Sequence, residues 1–184
     1  MNTNKNIKNL TTNALLLGIG AMLHQFTPAL GLPMQPDFSL AMLFIIIILN
    51  KKDYKTCLIS GIVTGIFTAM TTKFPGGQLP NFLDKVITAN IVYAILFLLR
   101  SLKVMKSKNL KTQRLIESAI ILPIGTLISG LIFLYCASII VGLPGSFGLL
   151  FVTTVLPATL INLFAGIALF KIITISLKRS SLTI

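Results

Sequence analysis

Six apolar runs separated by short polar connections take up most of this 184-residue chain: roughly Leu10 to Leu30, Phe38 to Leu49, Thr56 to Thr72, Phe82 to Leu99, Leu115 to Gly142 and Phe147 to Leu177. Runs such as Phe44-Ile45-Ile46-Ile47-Ile48-Leu49 do not alternate, so they do not read as barrel strands, and helices are the other way to satisfy backbone inside lipid. With 54% hydrophobic and 11% charged residues and a mean hydropathy of +0.91, the chain has too little polar surface to cover a water-soluble body. The expectation is an all-α integral membrane protein, a single domain over 1–184 of six transmembrane helices, with short basic tails at 1–9 and 178–184.

The charge pattern sets the expected orientation. Sixteen Lys and Arg face four acids, but the basic residues sit between apolar runs instead of forming one solvated stripe, which argues for membrane topology and against nucleic acid. Lys5 and Lys8, Lys51, Lys52 and Lys55, the cluster from Arg100 to Arg114, and Lys171, Lys178 and Arg179 all fall on one side. Only Lys73 and Lys85 fall on the other. Positive-inside counting then places both termini in the cytoplasm of a multi-pass cell-membrane protein. The first run lacks a small-x-small cleavage site and is long enough to span, so it is read as a retained helix.

Helix two is short. Its twelve apolar residues reach only about 18 Å at roughly 1.5 Å per residue, against a hydrocarbon core of about 30 Å. The approach from Leu30 to Asp37 holds Pro33 and Pro36, which favour extended backbone, so irregular chain is expected to dip below the outer surface and line a pocket there. Asp37, Asn81 and Ser146 are candidate N-caps of helices two, four and six, with Asp84 completing a capping box. Converging helix N-termini would favour a small anion such as a carboxylate. Lys85 either snorkels to outer headgroups or meets that carboxylate.

Other polar residues receive simpler readings. Cys57 and Cys136 read as small core residues, with no metal or disulfide implied. His24 and Gln25 are placed to line the pocket or to make interhelical hydrogen bonds. Asn162 follows Pro157 and serves ligand or helix contact. Glu117 is expected to pair with Arg114 at the surface. Ala14, Gly18 and Ala21 share one face of helix one and either dock a partner or pack internally; Gly61, Gly65 and Ala69 of helix three read as internal packing.

Several stretches carry a resemblance: GIGAMLH at 18–24, Pro36-Asp37, GIVTGIFTAMTTKFPGGQLPNFLDK at 61–85, GTLISG at 125–130, VGLPG at 141–145 and VLPATLIN at 155–162. With these, the chain resembles the tryptophan transporter family, substrate-binding (S) components of energy-coupling factor (ECF) transporters. The resemblance covers nearly the whole chain except the connection 101–114 and the tails. It implies an S-component-like bundle that captures tryptophan from outside and works with a transmembrane coupling (T) subunit and two cytoplasmic ATPases. It also implies that small residues on helix one, here Ala14, Gly18 and Ala21, dock the coupling subunit. The sequence has no phosphate loop of its own, so ATP would be hydrolysed by partners, and no cofactor is expected in this chain.

A zwitterion carrying an indole needs a cation, an acceptor for its ammonium, an aromatic slot and an acceptor for the ring N–H. Within residues 71–85, Lys85 and the first amides of helix four suit the carboxylate, and Asp84 or Asp37 the ammonium. Phe74 and Phe82 suit the ring, and Gln78 or Asn81 the indole N–H. Gly76 and Gly77 allow close backbone approach. Adjacent Asp84 and Lys85 are expected to diverge on the helix. The alternatives are an S component for another small nutrient or a stand-alone ion-coupled secondary transporter for an aromatic amino acid. Acids placed near helix ends argue against the latter. An enzyme is disfavoured because metalloprotease and nucleophile-elbow motifs are missing.

Overall fold

The computed structural model describes residues 3–28, 37–50 and 53–179. Within them the chain is helical: α1 (Thr3–Phe26), α2 (Phe38–Leu49), α3 (Tyr54–Thr71), α4 (Gln78–Ser101), a short α5 (Lys103–Lys106), α6 (Leu110–Ile140), α7 (Phe147–Leu150), a π-helical turn (Phe151–Val155) and α8 (Leu156–Arg179). Within the described residues, each of the six apolar runs falls mainly on a helix or, for the last, on the continuous stretch from α7 through α8. Gln78–Ser101, Leu110–Ile140 and Phe147–Arg179 are long and apolar enough to cross a bilayer. The approach 29–36, expected to be irregular, lies outside the described residues.

Helix α2 is the centre of the bundle. Every residue from Ser39 to Leu49 is buried, with α1, α3, α4, α6 and α8 packed around it. A helix that is apolar on all sides is one with no polar surroundings to face, and here the surroundings are protein. Close approach is made by glycines: a Cβ on Gly125 would lie 2.5 Å from the Phe44 ring, and one on Gly61 would lie 2.6 Å from Ala89. Gly61 and Gly65 therefore face α4, as internal packing requires.

At the end of the bundle that carries the basic connections, polar groups tie the helices together. Asn13 and Asn50 exchange amide hydrogen bonds of 3.2 and 3.0 Å. Asp53 caps α3 by accepting from the Thr56 amide and hydroxyl; those two donors hold its carboxyl below the usual range. Glu117, expected in a surface pair with Arg114, is instead fully buried. It accepts two hydrogen bonds of 2.8 Å from Arg100, whose guanidinium also donates to the Ile48 carbonyl at 3.0 Å. The planar fork of Arg100 matches both carboxylate oxygens at once and joins α4 to α6 and α2.

Candidate functional site: a polar cavity at the opposite end

The α3–α4 link is a structured turn. Gly76 has φ +71, and a Cβ there would lie 2.6 Å from Val141, so the turn needs glycine. Thr72 Oγ1 accepts from the Phe74 amide and from Asn81 Nδ2, and Lys73 Nζ donates to the Thr27 carbonyl at the end of α1, 2.6 Å away. Asn81 is not the cap of α4: the helix begins at Gln78 with Gly77 as N-cap and no side-chain cap. Asn81 instead lies in the first turn, its amide bonded to Thr72 and Gly77. Asp84 is thereby carried about two turns into the helix. Asp37 and Ser146 do cap, accepting from the Leu40 and Leu149 amides.

Between these elements lies a cleft, partly open to solvent. Its charged side is a compact cluster. Lys85 Nζ sits 2.8 Å from Asp37 Oδ2 and bonds Asp84 Oδ2 as well. Asp84 also accepts from Ser129 at 2.8 Å and Thr88 at 2.9 Å, and Asp37 accepts from Ser39 at 2.5 Å. His24 Nε2 stands 3.9 Å from Asp37. His24 Nδ1 lies 2.7 Å from Thr71 Oγ1, whose own proton goes to the Phe67 carbonyl. The imidazole therefore donates through Nδ1. The expected divergence of Asp84 and Lys85 does not hold: both line the cavity, because the long Lys85 side chain turns back to its neighbour while still reaching α2.

The other walls are apolar with isolated polar atoms. Phe74 and Phe133 meet edge to face at 5.4 Å and 87°, beside Leu40, Val155 and Ala158. Thr126, Thr154 and Asn162 add polar atoms from α6, the π-helical turn and α8.

Of the residues singled out from sequence, His24, Asp37, Phe74, Asn81, Asp84, Lys85 and Asn162 line this one cavity. Gln25, Gln78 and Gly76 are exposed, Gly77 is buried in the turn, and Phe82 is half-buried against Gly65. Ser129, Phe133 and Thr154 were not singled out. Ser129 and Thr154 appear in sequence only as hydroxyls inside the apolar runs GTLISG and FVTTV, and Phe133 only as one more apolar residue of its run, so none of the three stands out locally. Ala14 is exposed, Ala21 and Gly18 are partly exposed, and nothing described lies within 4 Å of a Cβ built on Gly18.

Comparison with known proteins places this arrangement in context. The profile of the family described as Tryptophan transporter TrpP matches residues 6–178. The chain belongs to this tryptophan transporter family. It is similar to three proteins each called probable tryptophan transport protein. The one from Clostridium perfringens is 53% identical over 99% of this chain and 100% of its own length. The one from Clostridium acetobutylicum is 47% identical over 94% and 95%, and the one from Bacillus subtilis 40% identical over 95% of each. No solved structure matches significantly. A TrpP-family member with several long apolar helices is a multi-pass membrane transport protein and not an enzyme.

Proposed function

We propose that the chain mediates tryptophan uptake and that the polar cavity is its tryptophan site, facing outward in a bundle of six transmembrane helices with cytoplasmic termini. The observation that carries this reading is Lys85 held between Asp37 and Asp84 at the edge of an aromatic-backed cleft. Such a cluster holds its own ion pair ready for exchange. The ammonium of an arriving amino acid takes Asp37, the more accessible carboxylate at 16% exposure against 1% for Asp84. Its carboxylate takes the place that Asp37 leaves on Lys85. A zwitterion inserted this way exchanges one ion pair for two without adding net charge to a dry site, which limits the desolvation cost. Phe74 and Phe133 offer the ring an apolar slot.

Energy coupling in this proposal comes from partners, a T subunit and two cytoplasmic ATPases, with Ala14, Gly18 and Ala21 as the docking face. Their outward exposure on α1 favours docking over internal packing, since small residues let a partner helix approach closely. One observation favours the second reading, an ion-coupled carrier: Asp84 and Glu117 are fully buried, although both lie about two turns from the starts of α4 and α6, toward helix ends as expected from sequence.

Because the chain has no Trp, tryptophan fluorescence in a titration of purified protein reports ligand alone. Saturable binding with weaker competition by phenylalanine and tyrosine is expected; unsaturable signal would sink the site. Gly18→Phe separates the two coupling readings. It should leave the titration unchanged and abolish labelled-tryptophan uptake by cells, whereas uptake that persists without T subunit and ATPases would establish the ion-coupled carrier.

A further inference from the structure

Two polar atoms in the cavity have no use in the zwitterion exchange. Among the described residues, Thr154 Oγ1 and Asn162 Oδ1 are buried side-chain oxygens without a hydrogen-bond partner, and both residues line the cleft, at 3% and 1% exposure. Buried polar atoms are nearly always paired, so two orphans in one cavity ask what completes them.

Neither is an accident of side-chain placement. Several threonines in the α-helices return their hydroxyl proton to the carbonyl four residues back: Thr64 to Ser60, Thr126 to Leu122 and Thr159 to Val155, at 2.7 to 2.8 Å, and Thr153, beside Thr154, does the same to Leu149. Thr154 lies in the π-helical turn, the widened turn just before Pro157, and its hydroxyl makes no such bond. Proline lacks an amide and crowds the carbonyl one turn back, which favours local widening of this kind, and π turns recur at functional positions. The orientation of Asn162 follows from its neighbour. The Thr126 proton is committed to Leu122, so Thr126 Oγ1 can only accept, and it accepts from Asn162 Nδ2 at 3.4 Å. The amide oxygen is therefore the atom left without a partner.

An amide oxygen can only accept, so the group that completes Asn162 must be a donor; the Thr154 hydroxyl can serve either way. The neighbouring lining is apolar, with Val155, Ala158, Gly130 and Phe133. A single N–H on an otherwise apolar ring fits these requirements. Charged groups are answered elsewhere, by Asp37 and Lys85.

We propose that Thr154 of the π-helical turn and Asn162 of α8 read the ring N–H of the ligand and are the residues that distinguish an indole from other aromatic side chains. This rests on the reading of the cavity as the tryptophan site. A ligand lacking the donor leaves the amide oxygen buried and unpaired, and that is a strong basis for rejection.

The test displaces bound tryptophan, followed by its fluorescence, with the analogue in which sulfur replaces the ring N–H (3-benzothienylalanine). Wild-type protein is expected to bind the sulfur analogue about tenfold or more weakly than tryptophan. In Thr154→Val and Asn162→Leu the ratio should shrink toward one, whatever happens to absolute affinity. Wild-type protein that binds tryptophan and the sulfur analogue equally overturns this proposal while leaving the tryptophan site standing, as would variants that keep the full discrimination. No saturable tryptophan binding by wild type overturns both.

Discussion

Lys85 carries more of the site than any other residue, and its bonds make a specific demand. Its ammonium is shared by Asp37 and Asp84 before a ligand arrives, so removing it has two effects of opposite sign. It deletes the group that receives the ligand carboxylate, and it leaves the two aspartates without their lysine. Lys85→Met should therefore weaken tryptophan binding about tenfold or more, the scale of a charge-assisted hydrogen bond. Tryptamine has the ammonium and the indole but no carboxylate, and its affinity should hold or increase as Asp37 loses its competitor. Parallel fluorescence titrations decide the matter; equal losses for both ligands would remove the carboxylate role. The ratio is the readout, because breaking this cluster also affects stability.

At the level of helices, the buried pair of Arg100 and Glu117 is the counterpart of that cluster at the basic end. Burying one charge without the other costs roughly 3 to 5 kcal/mol, whereas replacing both by apolar groups is often close to neutral. Arg100→Leu should accordingly lower thermal stability in detergent strongly. Adding Glu117→Leu should restore part of the loss, and a double variant less stable than Arg100→Leu would contradict this. The pair also marks what the sequence could and could not convey. Apolar runs placed the helices because hydropathy is local, and Asp37 and Ser146 were readable as caps because a cap bonds only a few residues ahead. Arg100 and Glu117 lie 17 positions apart on different helices, and periodicity within either helix carries no trace of the other. Helix α2 reads from sequence as a short span completed by an approach that lies outside the described residues; the structure adds that its uniform apolarity is buried by five neighbours, which composition alone cannot separate from contact with lipid. For the cavity, residues 71–85 were legible because lysine, aspartate and paired glycines are conspicuous between apolar runs. Thr154 and Ser129 were not, since one hydroxyl in an apolar helix has the same local signature whether it faces a cavity or its own backbone.

Across the whole molecule, the two polar clusters lie at opposite ends of one apolar bundle, and their sequence surroundings differ. The Arg100–Glu117 end adjoins the connections that carry most of the Lys and Arg, while the cavity end has Lys73 and Lys85, both with hydrogen-bond partners inside the protein. Positive-inside bias acts on short connections during insertion, so charges engaged in the cavity need not oppose it. The cavity should then open to the outside of the cell. Single cysteines placed on a background of Cys57→Ser and Cys136→Ser test this directly, because Gln78 and Lys106 are exposed at the two ends. In intact cells a membrane-impermeant maleimide should label Gln78→Cys and spare Lys106→Cys until the membrane is permeabilised. Bound tryptophan need not block that reaction, since Gln78 lies outside the cavity lining. The reverse pattern would turn the cavity toward the cytoplasm, and an uptake protein whose resting site faced inward would have to collect its ligand from the compartment it supplies.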